Sequence, residues 1–466
     1  MSQVNTCVRR FGTWSFYREA LSVALPVILQ QLITGMVSLI DNFMVAGLGD
    51  VSMASVNVSN QLTFTFIVIV NVMCGAGGIY LAQFKGARDI NGMQHAYRFK
   101  ALFALLVSTV YFALCWLIPE KMLGMMTIGN SERVKIIAAG ADYLRITSFA
   151  LFPIALSSAI GSAFRETGTP KIPLIISAAA TLVNTFGNWL LIYGNLGIPR
   201  LEIQGAAIAT VIARYFEVGV FLFYVHREKT NFFIGFLSLF KINGRLVKEI
   251  LLKSVMMFLS EISWIGSETV ITALYNGRGG AETVAGMAAG YTIANILFLL
   301  FGGIWTVSAV IIGGDLGAGK LNEARQKAVW IKSGAVVAGA VVAVLGAGLA
   351  ILLIPLVFSN LTEDARRISL GLVFVILVYL PLWCLLNALF AISRSGGDAA
   401  MGMYADVSVS LFLLVPGAFI LALLTDIGPV TMFAVLKTTD VIKYFIARYF
   451  FNKERWVRNL TIGKGE

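Results

Sequence analysis

Charge is scarce in this sequence. Asp, Glu, Lys and Arg make up only 13% of its 466 residues against 58% hydrophobic ones, a balance that excludes an ordinary water-soluble domain. Cysteine and histidine are rarer still, at four and two. Cys7, Cys74, Cys115 and Cys384 share no paired spacing, which argues against a disulfide framework or a Cys/His metal site. His95 and His226 fall at the ends of apolar runs, where water reaches them. No polar stretch is long enough to build a soluble domain. The first apolar run also continues far past the length of a secretory leader's apolar region.

What the chain has instead is length of apolar run. Twelve runs recur, at about 19–47, 54–84, 93–118, 132–162, 170–194, 204–226, 246–276, 283–313, 325–358, 366–393, 400–425 and 428–451. As helices rising about 1.5 Å per residue, each can cross about 30 Å of hydrocarbon. The net charge of +11 raises the question of nucleic-acid binding, but its distribution answers otherwise. With the N-terminus inside and the runs alternating, the inner segments collect 25 of the 36 Lys and Arg residues. The outer ones keep Lys121, Arg133, Lys135, Arg200, Arg278, Arg366 and Arg367. This asymmetry places both termini in the cytoplasm and the chain in the plasma membrane.

The longest inner connection, about 226–245, divides the chain into lobes 1–231 and 232–466 of six runs each. The halves echo one another. Lys85-Gly-Ala-Arg-Asp-Ile-Asn91 resembles Leu316-Gly-Ala-Gly-Lys-Leu-Asn322, and Arg165-Glu-Thr-Gly-Thr169 resembles Arg394-Ser-Gly-Gly-Asp398. An even number of spans per half gives both the same orientation, so the repeat axis runs along the membrane normal. The fold class expected is therefore all-α integral membrane, with twelve helices in two pseudo-twofold-related bundles. Gly314-Asp-Leu-Gly-Ala-Gly-Lys320 imitates a phosphate-binding loop, but Leu321 stands where Ser or Thr must reach magnesium, and an apolar run rather than a strand precedes it. It reads as a Gly-rich turn. With no nucleotide site, an ion gradient is the expected source of energy for any pumping.

Asp41 interrupts an apolar stretch with no basic residue within four positions. A bare carboxylate there costs about 2.5 kcal/mol or more, so it calls for a proton, a metal cation or a cationic substrate. Asn184 and Asn188, one turn apart, lie at a similar depth, as do Thr210, Asn57 and Gln61. Together they form a candidate ion-coupling set; a hydrogen-bond network holding helices together is the alternative. Glu261 and Glu268, two turns apart, also lack a cation on their own helix and are candidates for a substrate or second cation site. Asp406, nearer the inner end of its run, is a weaker candidate. Arg214 with Glu217, Asp142 with Arg145, and Lys437 with Asp440 and Lys443 read as internal pairs. Pro26 is expected to weaken or bend its helix, which would let helix shape follow the ionisation of Asp41. Gly286–Gly290 and the small residues of 338–350 read as close helix packing.

Leu25-Pro26, Asp41 followed by Met44-Val-Ala-Gly47-Leu-Gly49, the turns at Arg165 and Arg394, Asn184 with Asn188, and Gly205-Ala-Ala-Ile-Ala-Thr210 together resemble the multidrug and toxic compound extrusion family over essentially the whole chain. The resemblance implies a monomeric, non-enzymatic exporter of amphipathic organic cations. It implies exchange for H+ or Na+, with no cofactor and no tightly bound metal, a transported Na+ sitting at Asp41 or Glu261. It adds Tyr143 to the set around Asp41. Two departures stand out. An aspartate common in the family is replaced by Asn188, and Val378–Trp383 offers no acid to pair with Glu261. The rival reading is a flippase of a lipid-linked phosphate or saccharide precursor, whose cleft would need unpaired basic residues.

Overall fold

The computed structural model describes residues 9–128, 131–235, 238–277 and 279–462; Cys7, Arg278 and Lys464 lie outside them. Among the described residues all regular structure is helical, as hydrocarbon requires of a chain whose backbone must satisfy its own hydrogen bonds. The helices are α1 Trp14–Ala46, α2 Asp50–Gly86, α3 Ile90–Leu117, α4 Pro119–Met126, α5 Arg133–Ser148, α6 Leu151–Glu166, α7 Lys171–Tyr193 and α8 Glu202–Glu228. They continue as α9 Gly244–Asn276, α10 Ala281–Gly317, α11 Leu321–Val357, α12 Glu363–Ser395, α13 Ala400–Val409, α14 Val415–Leu424, α15 Pro429–Lys437 and α16 Thr439–Asn452.

Among the described residues, ten helical segments are long and apolar enough to cross a membrane, and α5 with α6, bent by 49°, makes an eleventh. The bend falls just before Pro153, which cannot donate the backbone bond that would carry the helix through Phe149. A π-helical turn at Ser410–Leu414 joins α13 to α14, again immediately before a proline, Pro416. The twelfth apolar run is divided at Thr438 into α15 and α16, each below spanning length. There the Thr438 and Thr439 hydroxyls donate to the carbonyls of Val435 and Leu436 at 2.6 and 2.7 Å, competing with the helix's own backbone bonds.

The residues group into two compact units. Among the described residues, the N-unit holds Leu29–Lys85 and Asp89–Leu251; the C-unit holds 252–462, together with 9–28 and Gly86–Arg88. Helix α1 thus serves both, passing from one to the other two residues beyond Pro26. Its first turns pack in the C-unit, where Phe16 meets Trp330 edge-on at 5.1 Å and the Tyr17 hydroxyl donates to the Trp330 carbonyl. The start of α9 stays with the N-unit, tied by the Tyr80 hydroxyl to Glu249 at 3.0 Å. Within the N-unit, α8 packs against α7, α5 and α6; within the C-unit, α12 packs against α10 and α11.

The echoed motifs are helix caps of one kind. Asp89 N donates to the Phe84 carbonyl and Lys320 N to the Asp315 carbonyl, each at 2.9 Å. Thr169 N to Phe164 and Asp398 N to Ser393 repeat the pattern at 2.9 and 3.0 Å. These six-to-one bonds need a left-handed residue at the cap, supplied by Gly168, Gly319 and Gly397, and in one case by Arg88 (φ 58°), at a cost of about 1–2 kcal/mol. The sequence that imitates a phosphate loop is therefore the capped end of α10.

Gly286 and Gly290 face α12, where a Cβ on Gly286 would stand 2.9 Å from Ile368 Cβ and one on Gly290 2.8 Å from Leu372 Cδ2. Backbone approach this close admits no side chain. Gly290→Val should therefore destabilise the protein by about 1–3 kcal/mol, lowering the melting temperature in detergent. An unchanged melting curve would show that α10 and α12 do not depend on this contact.

Candidate functional site

Helix α1 presents Gln30, Thr34, Ser38 and Asp41 along one stripe, spaced by four, four and three residues, so that all four point the same way. They line a cavity of about 330 Å³ inside the N-unit, with Asn71 of α2, Ser157 and Arg165 of α6, Ser177 and Asn184 of α7, and Thr210, Arg214 and Glu217 of α8. Asp41 is the lining residue of α1 nearest that helix's C-terminal end. Asn188 Nδ2 donates to Asp41 Oδ1 at 2.7 Å. With the Asn184 amide turned so that its nitrogen faces the carboxylate, that nitrogen donates to Asp41 Oδ2 at 2.8 Å. Asn184 also lies 3.4 Å from the Thr210 hydroxyl.

Two features of this cluster bear on chemistry. Among the described residues no Lys, Arg or His nitrogen forms an ion pair with Asp41; the basic group nearest in sequence logic, Arg214, donates to Glu217 at 2.9 Å instead. Asn188 Oδ1 is buried and has no hydrogen-bond donor among the described residues, although a buried amide oxygen ordinarily finds one. A carboxylate and an orphaned amide oxygen side by side are hard oxygen donors of the type that hold a small cation, and the carboxylate alone can hold a proton.

The remaining members of the expected set fall elsewhere. Tyr143 is buried in an apolar cluster with Val45, Val56 and Ala206, flanking the site with no hydrogen bond to Asp41 among the described residues. Asn57 and Gln61 are exposed and do not line the cavity, which corrects their placement in the coupling set. Depth along a helix does not fix direction around it. Ser55 and Ser59 turn inward to donate to the Ile136 and Gly140 carbonyls of α5, and residues two positions further on point the opposite way. Gln30, Ser177 and Arg165 were not singled out as site residues, although the spacing of Gln30, eleven residues before Asp41 on one helix face, already carried the signal.

A family model, MatE, matches residues 26–190 and again 257–420, most of the chain and once per half. The chain belongs to the MatE family. Among its relatives, the "Probable multidrug resistance protein NorM" of Geobacillus kaustophilus is 27% identical over 68% of both chains. That of Halalkalibacterium halodurans is 23% identical over 88% of both, and "Multidrug resistance protein PmpM" of Pseudomonas aeruginosa is 23% identical over 66% of this chain and 64% of its own. The fold matches "Crystal structure of MATE in complex with MaL6" with a TM-score of 0.82 over 94% of this chain and 97% of that one, at 16% identity. "Outward-facing conformation of a multidrug resistance MATE family transporter of the MOP superfamily" matches at 0.79, covering 94% and 96% at 16% identity.

In the C-unit of this MatE protein the acids are not bare. Glu261, which has no cation on its own helix, pairs with Arg394 Nη1 of α12 at 3.6 Å, and that guanidinium also stacks over Trp305. Glu268 pairs with Lys437, which therefore does not complete the helix-internal trio read from the sequence. Lys443 bridges Asp406 and Asp440 at 3.2 and 3.5 Å; Ser260 donates to Asp406, and Trp383 to Asp440 at 2.8 Å. The cations arrive from α12, α15 and α16, beyond the reach of any argument confined to α9.

Two outcomes follow. Asn188→Ala removes one donor to a charged acceptor and the orphaned oxygen with it. If the cluster holds a small cation such as Na+, the variant should bind it about tenfold more weakly, as read in a binding isotherm on purified, folded protein; unaltered binding would put Asn188 outside the site. Glu268→Gln should lower stability by up to about 3–5 kcal/mol by leaving Lys437 buried without its acid. Adding Lys437→Met should recover most of that loss in a thermal melt, and a double variant no better than the single would argue against an internal pair.

Proposed function

We propose that the protein is a secondary active exporter of amphipathic, cationic small molecules, driven by H+ or Na+ moving inward through the N-unit. One observation carries the reading. Asp41 is held by two amides, lines a polar cavity, lacks an ion pair among the described residues, and lies beside an amide oxygen with no donor. A charge in hydrocarbon without a resident counter-ion is stabilised when a mobile cation arrives and exposed when it leaves. That difference in stability between loaded and empty states can be coupled to a change of helix packing. The names of the relatives, multidrug resistance proteins, support the class of cargo. Placement in the plasma membrane with cytoplasmic termini follows from the asymmetry of Lys and Arg, and a single chain contains all the residues this scheme uses.

A flippase of lipid-linked phosphates needs basic groups free to meet an anion. Here Arg394, Lys437 and Lys443 are each paired with an acid, so is Arg214, and the remaining base of the cavity, Arg165, shares it with the acids Asp41 and Glu217. The balance favours cationic cargo.

The test is transport by purified protein in proteoliposomes, with sodium and proton gradients imposed separately. One of the two should drive a cationic dye against its own gradient, and Asp41→Asn should abolish the driven component while leaving a folded protein. Dye movement that ignores both gradients, or that survives in Asp41→Asn, would overturn the assignment.

A further inference from the structure

Arg214 and Glu217 share the cavity with Asp41, yet the coupling set makes no use of them. Arg214 stands one turn beyond Thr210 on the same face of α8, and Thr210 adjoins Asn184, which faces the Asp41 carboxylate. A long, flexible guanidinium side chain is thus based one helical turn from Thr210, in the cavity that the Asp41 carboxylate also lines. In the structure it donates to Glu217 Oε2 at 2.9 Å and forms no hydrogen bond or ion pair with Asp41 among the described residues.

The acid in that pair is the fixed member. Glu217 Oε1 accepts from Ser177 Oγ of α7 at 2.8 Å, and Ser177 Oγ in turn accepts from Gln30 Nε2 of α1 at 2.9 Å. The Glu217 side chain is only 6% exposed, whereas that of Arg214 is 38% exposed. Three helices hold the acid and one long stem holds the base. The cavity's charged lining consists of Asp41 on α1, Arg165 on α6, and Arg214 and Glu217 on α8; α2 and α7 contribute only neutral groups.

Resting on the reading of Asp41 as the coupling acid, we propose that Glu217 is a specificity-determining residue of the exchange cycle. It holds Arg214 away from Asp41, so that a mobile cation rather than the protein's own guanidinium neutralises that carboxylate. Two acids of the cavity, Asp41 and Glu217, compete for Arg214, and the acid that wins leaves the other without that base. If Glu217 loses its charge, the base turns to the acid that remains, because an unpaired charge at this depth is costly. A tethered cation acts at an effective concentration of about millimolar or more, enough to exclude a weakly bound transported ion.

The experiment measures transport rate against concentration of the driving cation in proteoliposomes. Glu217→Gln keeps the shape of the side chain and removes its charge. It should raise the cation concentration for half-maximal rate by about tenfold or more, with the rate largely recovered at saturating cation, as befits a competitor. Arg214→Gln/Glu217→Gln, which deletes the competitor too, should return the half-maximal concentration toward that of the unmodified protein. A purely structural role predicts instead a lowered melting temperature and no return in the double variant. If Glu217→Gln does not fold, Ser177→Ala loosens the anchor of the same acid and should shift the curve in the same direction by a smaller factor. Unchanged half-maximal concentration, or a double variant no better than the single, overturns the proposal. Failure of the underlying reading is separately visible: Asp41→Asn would then still couple, whereas an inactive Asp41→Asn beside a normal Glu217→Gln removes the Arg214 proposal alone.

Discussion

The structure turns on how a carboxylate is kept in an environment that resists it. Asp41 has two amide donors and no ion-paired base among the described residues. Amides lower the cost of its charge without cancelling it. A full salt bridge would have made the site inert, and an apolar lining would have kept the acid protonated and silent. Hydrogen bonds from neutral groups place it between these extremes, where arrival and loss of a cation each carry a moderate free energy. The cavity around it is maintained by polar side chains whose partners are mostly one another, from Gln30 through Ser177 to Glu217 and Arg214.

The C-unit solves the same problem differently. Its acids Glu261, Glu268, Asp406 and Asp440 are met by Arg394, Lys437 and Lys443, cations built into the chain. Such pairs are weak sources of net stability, since desolvation offsets most of their attraction, but removing one member leaves a buried charge exposed. They fix which helix faces meet. A cluster whose acids already hold their own bases has little to gain from a visiting ion. On chemical grounds the proposed exchange belongs in the N-unit.

Much of this was legible in the residues. Apolar length gave the helices, and the offset between echoed motifs gave the two halves. Asp41 stood out because nothing basic accompanied it, and the four-residue spacing of Asn184 and Asn188 put both on one face. What escaped shares a cause. The direction of Asn57 and Gln61 depends on which side of α2 meets α5, and the partner of Glu268 lies 169 residues away on α15. Linear spacing gives neighbours along one helix, whereas azimuth and contacts between helices emerge only when the helices are packed. The break at Thr438 escaped for a related reason: hydropathy counts Thr438 and Thr439 as mild, although their hydroxyls take carbonyls from the helix itself.

The internal repeat gives an independent way to judge where exchange belongs. The two family matches begin at residues 26 and 257, so adding 231 carries a residue of α1 onto its counterpart in α9, and Asp41 onto Thr272. The capping motifs at Arg165 and Arg394 differ by 229, which carries Asn184 onto Leu413 and Asn188 onto Gly417. The C-unit thus has a hydroxyl, a leucine and a glycine where the N-unit has a carboxylate and two amides. Thr272 is satisfied locally by the Tyr275 hydroxyl at 2.9 Å. The repeated arrangement of helices carries a carboxylate with two amides in one copy and a hydroxyl contact at the matching position in the other. One turn before Thr272 on the same helix face, Glu268 already holds Lys437. The two copies thus meet the need for polar contact with different chemistry, a resident base in one and neutral amides around a carboxylate in the other.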